Sequence, residues 1–431
     1  MKRRKYLLAC LLAGVTIAMP AGQLSFAAGA QNDISLMAES ESQSETQSES
    51  QSESETQSES QSESQSESET QSESQSESQS ESETQSESQS ESQSESETQS
   101  ESQSESEKES ETETQDPNVP EGYKGIYKVS DLSLLSSKPD GKYMLMADLD
   151  LSSAEQASIS VFRGTLDGNN HTIKGLKHAL FKVLEEGTVS NLNLSSVQIS
   201  GSGDAGALAN VIGTGKKSAV TIQNITITGS VTGTGNTGSL AGVLKGTDVV
   251  ISRIANSATV AGTANAGGLI GLVQATDDQE GAASVKLTES YNIGEVSAVT
   301  AGGLIGAAEI PNLAAARNIE IANCYNAGVL EKGANIVAKI TAGNGQVVIN
   351  KCVGIQFYYS VASGMVGTST MAAGSTQTSG CSISNSYYYS MNPVYAFETG
   401  DCITGTATAL NDVQIKTQSY FKDFDFDGIW A

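Results

Sequence analysis

Histidine, proline and aromatic residues are scarce in this sequence of 431 residues, which has two histidines, six prolines and 5% aromatic residues. The two histidines, His171 and His178, do not form the H-E-x-x-H motif of zinc peptidases, and neither lies near a G-x-S-x-G turn. The five cysteines include no C-x-x-C pair, which argues against a zinc site and a disulfide scaffold. No Walker loop, dinucleotide fingerprint or basic patch occurs. The sequence therefore predicts no cofactor, no metal site, no nucleotide partner and no nucleic-acid partner.

Residues 1–27 have the features of a secretory signal peptide. Lys2–Lys5 is basic, Leu7–Ala18 is apolar, and Ser25–Ala27 supplies small residues for cleavage after Ala27. The apolar run is shorter than the ~20 residues that a spanning helix needs. We expect an exported protein with no stable membrane span after signal cleavage. Cleavage after Ala30 and an uncleaved anchor are the alternatives.

The next segment, residues 28–118, is predicted to be a disordered stalk of Ser, Glu, Gln and Thr. Glu-Ser-Glu-Thr recurs at 53, 67, 81, 95 and 109, a period of 14 residues. Acidic residues outnumber basic ones 25 to 1 between residues 28 and 115, which explains most of the formal net charge of −27. Such a segment cannot form an apolar core, and its charges extend it. It is either a passive spacer or a glycosylated or cation-gathering stalk.

A short glycine-rich pattern returns through the remaining sequence every 28 to 35 residues. Its clearest copies are Gly267–Gly271 and Gly302–Gly306, both Gly-Gly-Leu-Ile-Gly. The central apolar residues of the seven copies are Leu180, Leu208, Leu240, Leu269, Leu304, Ile336 and Met365. A period of this length indicates stacked units that bury their apolar faces against one another.

A second pattern runs in step with the first. Alternating apolar residues change parity at one position in each copy, which predicts a bend between two strands. The residues at the seven bends are Asn191, Asn224, Arg253, Glu289, Asn323, Lys351 and Asn385. Four of the seven are asparagine, which tolerates the left-handed conformation. The sequence therefore predicts an all-β fold, a right-handed parallel β-helix (β-solenoid) of about seven to eight coils with N- and C-terminal caps.

These repeats resemble the GLUG-motif repeats of bacterial surface proteins. The resemblance rests on the Gly-Gly-Leu-Ile-Gly cores and on I-x-N-[CS]-Y at Ile321–Tyr325 and Ile383–Tyr387. Val161–Ile173 is similar to the opening coil of such arrays, and Phe424–Trp430 is similar to their ending. The resemblance covers roughly residues 123–431 and implies an architecture; such repeats occur in adhesin-like proteins and beside peptidase domains. Since H-E-x-x-H is missing, we expect no peptidase chemistry in this chain.

The predicted domain boundaries follow from these patterns. They are 1–27 for the signal, 28–118 for the stalk, 119–160 for the N-terminal cap, 161–390 for the repeats and 391–431 for the C-terminal cap. Within the N-terminal cap, Ser130–Leu135 predicts a short helix and Lys142–Leu151 a strand. Asp167-Gly168 predicts a tight turn. The aromatic residues after Tyr387 predict either a buried cap or a platform for a sugar ring or partner.

Four cysteines remain after signal removal: Cys324, Cys352, Cys381 and Cys402. Cys324 and Cys352 occupy the same repeat position, so we expect them on neighbouring coils, facing inward. Stacked strands would bring their Cα atoms within the range of a disulfide. Buried free thiols that pack as small apolar groups are the other possibility.

Acidic residues provide the candidates for chemistry. Loop carboxylates that could serve a polysaccharide-cleaving β-helix are Asp204, Asp248, Asp277, Asp278 and Glu309, although no two coils repeat an acidic position. Asp423-x-Asp425-x-Asp427-Gly428 has the beginning of a calcium loop. Its alternation with Phe424 and Phe426 favours an edge strand, with the apolar side inward and the acidic side outward.

The sequence thus favours a secreted, non-catalytic surface protein for adhesion or for glycan or protein binding. Its expected partners are host or microbial surface glycans or proteins, through residues that the sequence does not identify. We expect no catalytic residue. The alternatives are a polysaccharide-cleaving lyase or glycoside hydrolase and a purely structural component.

Overall fold

The computed structural model describes residues 116–214, 219–245, 248–275, 283–312, 316–330, 332–356, 361–390, 397–399 and 403–430. The predicted signal and almost all of the predicted stalk lie outside these residues. Within them the chain forms three parallel β-sheets whose strands follow one another coil after coil. The predicted parallel β-helix is therefore confirmed.

The largest sheet, here called the bent sheet, has 18 strands. They are Lys124–Ile126, Lys142–Leu145, Leu149–Asp150, Thr165–Asp167, Thr172–Lys174, Gly187–Gly201, Ala219–Gly233, Asp248–Asn256, Thr259–Gly262, Ala283–Thr288, Tyr291–Asn292, Val296–Ser297, Arg317–Ala322, Tyr325–Asn326, Gly345–Asn350, Val353–Gln356, Cys381–Ser390 and Ile403–Leu410. One inward row shows the register: Ile222, Ile251, Leu287, Ile321, Ile349 and Ile383 pair in succession. Identical coil positions therefore stack, which keeps the apolar side chains of each coil against those of the next.

Two smaller sheets complete each coil. The nine-stranded sheet contains Ile159–Phe162, Phe181–Leu184, Ala209–Ile212, Ala241–Leu244, Ile270–Gln274, Ile305–Ile310, Val337–Ala342, Val366–Met371 and Phe397–Thr399. The five-stranded sheet contains Thr237–Gly238, Asn265–Gly267, Thr300–Gly302, Lys332–Ala334 and Val361–Ser363. Several coils thus run from the bent sheet through a short corner strand into the nine-stranded sheet.

The glycine-rich repeat forms the corner before seven strands of the nine-stranded sheet, from Phe181–Leu184 to Val366–Met371. Leu269 follows Asn265–Gly267 and precedes Ile270–Gln274. All seven predicted central residues are 2% exposed or less, so they form the buried column that the repeat predicts. Glycine is required at Gly303, because a Cβ there would lie 2.1 Å from the carbonyl oxygen of Asn335.

The parity changes mark real bends. All seven bend residues have positive φ, between 46° at Asn385 and 56° at Asn224. The prediction for the asparagines is confirmed, and Arg253, Glu289 and Lys351 adopt the same conformation. Coil stacking therefore imposes the left-handed conformation even on residues that disfavour it.

Lys351→Asn should stabilise the protein. The lysine has φ of 53°, and replacing it with asparagine should relieve part of the left-handed penalty, by about 0.5 kcal/mol. Chemical denaturation would measure this change in the free energy of unfolding. The control is Lys332→Asn, at a strand position where φ is not positive. Equal effects at the two positions would contradict the explanation from backbone conformation.

The N-terminal part contains the predicted helix. A 3₁₀ turn, Val129–Leu132, leads into α1, Ser133–Ser137, and Leu132 and Leu135 are fully buried in the main core. The strand predicted over 142–151 is divided into Lys142–Leu145 and Leu149–Asp150. Parallel pairing begins with Lys124–Ile126 against Lys142–Leu145. The predicted turn at Asp167-Gly168 is present, with positive φ at Asn169 and Asn170.

The C-terminal segment 411–430 folds along the outer side of the bent sheet. It contains a 3₁₀ turn, Gln418–Tyr420, and its buried residues Phe421 and Trp430 pack with outward residues of the last coils such as Val353 and Tyr387. Most of the ring contacts therefore belong to a lateral cover, which agrees with a buried aromatic cluster.

The edge strand predicted around Asp423–Asp427 is wrong. The segment is a series of turns in which Asp425 Oδ1 accepts hydrogen bonds from the amides of Asp427 and Gly428, at 3.0 and 2.9 Å. Phe424 and Phe426 still face the apolar cluster. Among the described residues, no helix is both long and apolar enough to cross a membrane.

Candidate functional site

The bend residues form a chain of side-chain hydrogen bonds on the surface. Asn191 Nδ2 donates to Asp167 Oδ1 at 3.0 Å, and Asn224 Nδ2 donates to Asn191 Oδ1 at 2.7 Å. Arg253 continues the chain with a bond from Nε to Asn224 Oδ1 at 2.5 Å and an ion pair with Glu289 at 3.4 Å. These side chains form hydrogen bonds with one another across neighbouring coils, so the row of bend residues fixes the register of the coils.

A second row of asparagines lies inside the solenoid. Asn256 Nδ2 donates to Asn292 Oδ1 at 2.7 Å, and Asn292 Nδ2 donates to Asn326 Oδ1 at 2.9 Å. Asn326 Nδ2 reaches Asn335 Oδ1 at 3.2 Å, and all four side chains are 1% exposed or less. Sequence reasoning missed this ladder. The signal for part of it was Tyr-Asn at the same repeat position, in Tyr291-Asn292 and Tyr325-Asn326.

The candidate carboxylates do not come together. Asp204 follows the long strand Gly187–Gly201, where its Oδ1 accepts bonds from the backbone and side-chain amides of Asn236 at 2.9 Å. Asp248 begins a strand of the bent sheet, while Glu309 lies in the nine-stranded sheet. Asp277 and Asp278 lie outside the described residues. No pair of acids in an acid–base arrangement results from these placements.

The histidines belong to the first coils. His171 Nδ1 lies 3.1 Å from Asp148 Oδ1, and His178 is exposed at the turn before Phe181–Leu184. In the part of the chain that the structure describes, no three His, Cys, Asp or Glu side chains are grouped closely enough to hold a metal ion.

Cys324 and Cys352 occupy neighbouring coils, as predicted. The residues that follow them, Tyr325 and Val353, pair directly, and both thiols are free and fully buried. Burial raises the pKa of the Cys324 thiol, and the adjacent Cys352 adds to the rise. Cys381 is also buried, whereas Cys402 lies outside the described residues. The arrangement fits small packed groups rather than reactive thiolates.

Aromatic rings stack on the outward side of the bent sheet. Tyr291 and Tyr325 are parallel, with ring centroids 4.8 Å apart and 4° between their planes. Trp430 of the C-terminal segment lies 6.0 Å from Tyr325 and 4.8 Å from Phe424. Burial raises the pKa of the Tyr325 phenol well above its usual range, with a further contribution from Tyr291, whose own pKa burial also raises.

The protein should lose stability as the pH rises above about 10, where unfolded tyrosine loses its proton. In the folded state Tyr325 keeps its proton to a higher pH than in the unfolded state. As the pH rises, the unfolded state therefore releases this proton first and becomes more favourable. Tyr325→Phe should reduce this loss, measured as the free energy of unfolding between pH 8 and 11.5. Tyr420→Phe, at an exposed ring, is the control. An unchanged pH dependence in Tyr325→Phe would contradict the assignment.

A recess of about 410 Å³ opens beside the last coils. Its lining is Ala316, Asn318, Gly345, Gln346, Thr376, Gln377, Thr378 and Ser379. Asn318 Oδ1 accepts the Gln346 amide at 3.1 Å, and Gln377 Nε2 donates to Asn344 Oδ1 at 3.0 Å. The lining contains amides and hydroxyls without a charged side chain, which suits a neutral hydrogen-bonding ligand.

Comparison with known proteins points in a different direction from the predicted adhesin. A family model described as the M26 IgA1-specific metallo-endopeptidase N-terminal region matches residues 127–229. The immunoglobulin A1 proteases of Streptococcus sanguinis and Streptococcus pneumoniae are 34% and 35% identical over 116 residues. Halomucin of Haloquadratum walsbyi is 32% identical over 124 residues. The matches cover 23–25% of this chain, 6% of each protease and 1% of halomucin.

The solved structure of an IgA1 protease is similar to this chain, with a TM-score of 0.46 and 20% identity. The match covers 70% of this chain and 24% of that protein.

These similarities correct two sequence-based predictions. The predicted non-catalytic adhesion or glycan-binding function is wrong, because the matching family model is that of an IgA1-specific metallo-endopeptidase region and two relatives are immunoglobulin A1 proteases. The prediction that the chain is not an enzyme is wrong on the same finding. The error has a physical origin, since the repeat residues specify corners and bends of a solenoid and carry no information on chemistry.

Proposed function

We propose that this chain takes part in the proteolysis of an immunoglobulin-type protein, as the N-terminal β-helical region of a metallo-endopeptidase of the IgA1 type. The observation that carries the proposal is the family match over residues 127–229. That range begins just before α1 and extends into the long bent strand Ala219–Gly233. The two streptococcal proteases, at 34% and 35% identity, support it.

A metallo-endopeptidase uses a bound metal to activate water or polarise a carbonyl group. The described residues do not fit such a centre, because they include no group of three metal-ligating side chains. We therefore assign them no catalytic step. In the proposal this part of the chain holds the protein substrate, with neutral hydrogen-bonding groups such as those that line the recess.

The proposal includes an extracellular site of action. The signal at residues 1–27 would export the chain, and the acidic segment 28–118 would be a disordered stalk. We also propose the domain limits that the sequence predicts. They are 161–390 for the GLUG-type repeats, 119–160 for the N-terminal cap and 391–431 for the C-terminal cap.

Purified full-length chain should bind immunoglobulin A1 saturably in surface plasmon resonance, with immunoglobulin G as the comparison. Parallel incubations with and without a metal chelator would be resolved by gel electrophoresis and mass spectrometry. Any cleavage that accompanies binding should stop in the presence of the chelator. Absence of binding, equal binding of both immunoglobulins, or cleavage that resists the chelator would contradict the proposal.

A further inference from the structure

The two ends of the described solenoid differ. At the N-terminal end the helical segment 129–137 packs over the first coils and buries Leu132 and Leu135 completely. At the other end the segment 411–430 folds along the lateral face, and of the last strand, Ile403–Leu410, only Leu410 is buried. Five of the eight residues of this strand are exposed. Within the described residues, the bent sheet therefore ends in an open edge.

The open edge has one partner strand within the described part of the chain. Ile403–Leu410 pairs in parallel with Cys381–Ser390, and no described strand lies on its other side. A strand at the edge of a sheet carries a row of main-chain amides and carbonyl groups on the side that has no partner strand.

The direction of these groups follows from the preceding coils. The amides of Tyr325, Val353 and Tyr387 all donate to the coil before them, at 2.9–3.1 Å. Thr408 pairs with Tyr387 in the same row, so its amide faces Cys381–Ser390. Since alternate residues of a strand point to opposite sides, the Ala407 and Ala409 amides face the open side.

The side chains of this strand are not of the kinds that block the addition of another strand. Its sequence, Ile-Thr-Gly-Thr-Ala-Thr-Ala-Leu, contains no charged residue and no proline. Natural proteins usually block edges with such residues or cover them. An eight-residue edge without either device is a template for an added strand.

We propose that Ile403–Leu410 is the docking edge for one extended, uncharged segment of the protein substrate, which adds to the bent sheet as a further strand. This inference rests on the proposed function, which supplies a polypeptide ligand. Main-chain groups give the affinity, and the small side chains of Thr404, Gly405 and Ala409 admit a segment of small neutral residues.

A second copy of the chain fits this edge less well. A stable interface buries about 800 Å² on each partner, more than one short strand edge provides. Each copy also carries a formal net charge of −27, which opposes self-association.

The test follows hydrogen exchange in the full-length chain with and without immunoglobulin A1. Exchange of the amides within 403–410 should slow on binding. Ala409→Pro removes one outward amide and should weaken binding roughly tenfold, whereas Val413→Ala, at an exposed residue outside the edge strand, should bind like the original chain. Thermal unfolding would confirm that both variants fold, and the exchange measurement does not depend on either variant.

Four results are distinguishable. Slower exchange together with weaker binding by Ala409→Pro supports the docking edge. Binding with unchanged exchange at 403–410, or equal binding by Ala409→Pro, overturns it and leaves the proposed function intact. No binding of immunoglobulin A1 overturns the proposed function and this inference with it. A dimer in sedimentation that Ala409→Pro abolishes assigns the edge to a second copy and also overturns it.

Discussion

Asn292→Ala should lower the free energy of unfolding by about 3 kcal/mol, because it interrupts the buried asparagine ladder. Asn292 Oδ1 accepts from Asn256 and from the Gly294 amide, while its Nδ2 donates to Asn326 and to the Gly294 carbonyl. Alanine leaves these groups without their partner in a site from which water is excluded. The loss would propagate to the neighbouring coils through Asn256 and Asn326.

Asn210→Ala is the matched control. Asn210 is half-buried in the strand Ala209–Ile212 and makes no side-chain hydrogen bond within the described residues, so its replacement should change stability by less than about 0.5 kcal/mol. Urea denaturation followed by circular dichroism would measure both variants. Similar stabilities for Asn292→Ala and Asn210→Ala would show that the ladder does not hold the coils together.

The parts of the fold that repeat could be predicted from the sequence. Parity changes located the bends at residues such as Asn224 and Asn323, and the glycine-rich pattern located the buried corners at Leu269 and Leu304. Each coil obeys the same steric and burial rules as its neighbours, so seven weak signals combine into one strong one.

Single, non-repeating features were harder to predict. The path of segment 411–430 depends on contacts of Phe421 and Trp430 with residues such as Tyr387, which lies more than thirty positions earlier in the chain. Alternation alone suggested an edge strand for Asp423–Asp427, whereas the carboxylate of Asp425 closes a turn on its own backbone. Local polar contacts of this kind compete with regular secondary structure.

The repeat pattern could not reveal the function, for a related reason. Residues that build corners and bends are selected by backbone conformation and burial, whichever ligand the protein meets. The asparagine ladder illustrates this point, since its four side-chain amides form hydrogen bonds with one another and with the backbone. The correction of the adhesin prediction rests on sequence similarity over residues 127–229.

Leu304→Ala should lower the free energy of unfolding by about 2–5 kcal/mol. The side chain is fully buried at a corner of the middle coils. Its carbonyl accepts hydrogen bonds from Leu269 and Ile270 at 3.0 Å, and its amide donates to Ile336 at 3.3 Å. Removing three carbon atoms leaves a cavity in a column that the flanking corners, held by these bonds, cannot easily close.

Val299→Ala, in the same coil, is the matched control. Val299 is 74% exposed, so this change should leave stability within about 0.5 kcal/mol of the original protein. Because each coil contacts only its neighbours, hydrogen exchange in Leu304→Ala should speed up most around Leu269 and Ile336. Equal unfolding free energies for the two variants would mean that the corner column contributes little and that the bent sheet alone carries the solenoid. Uniformly faster exchange along the chain would instead show that the coils unfold as one cooperative unit.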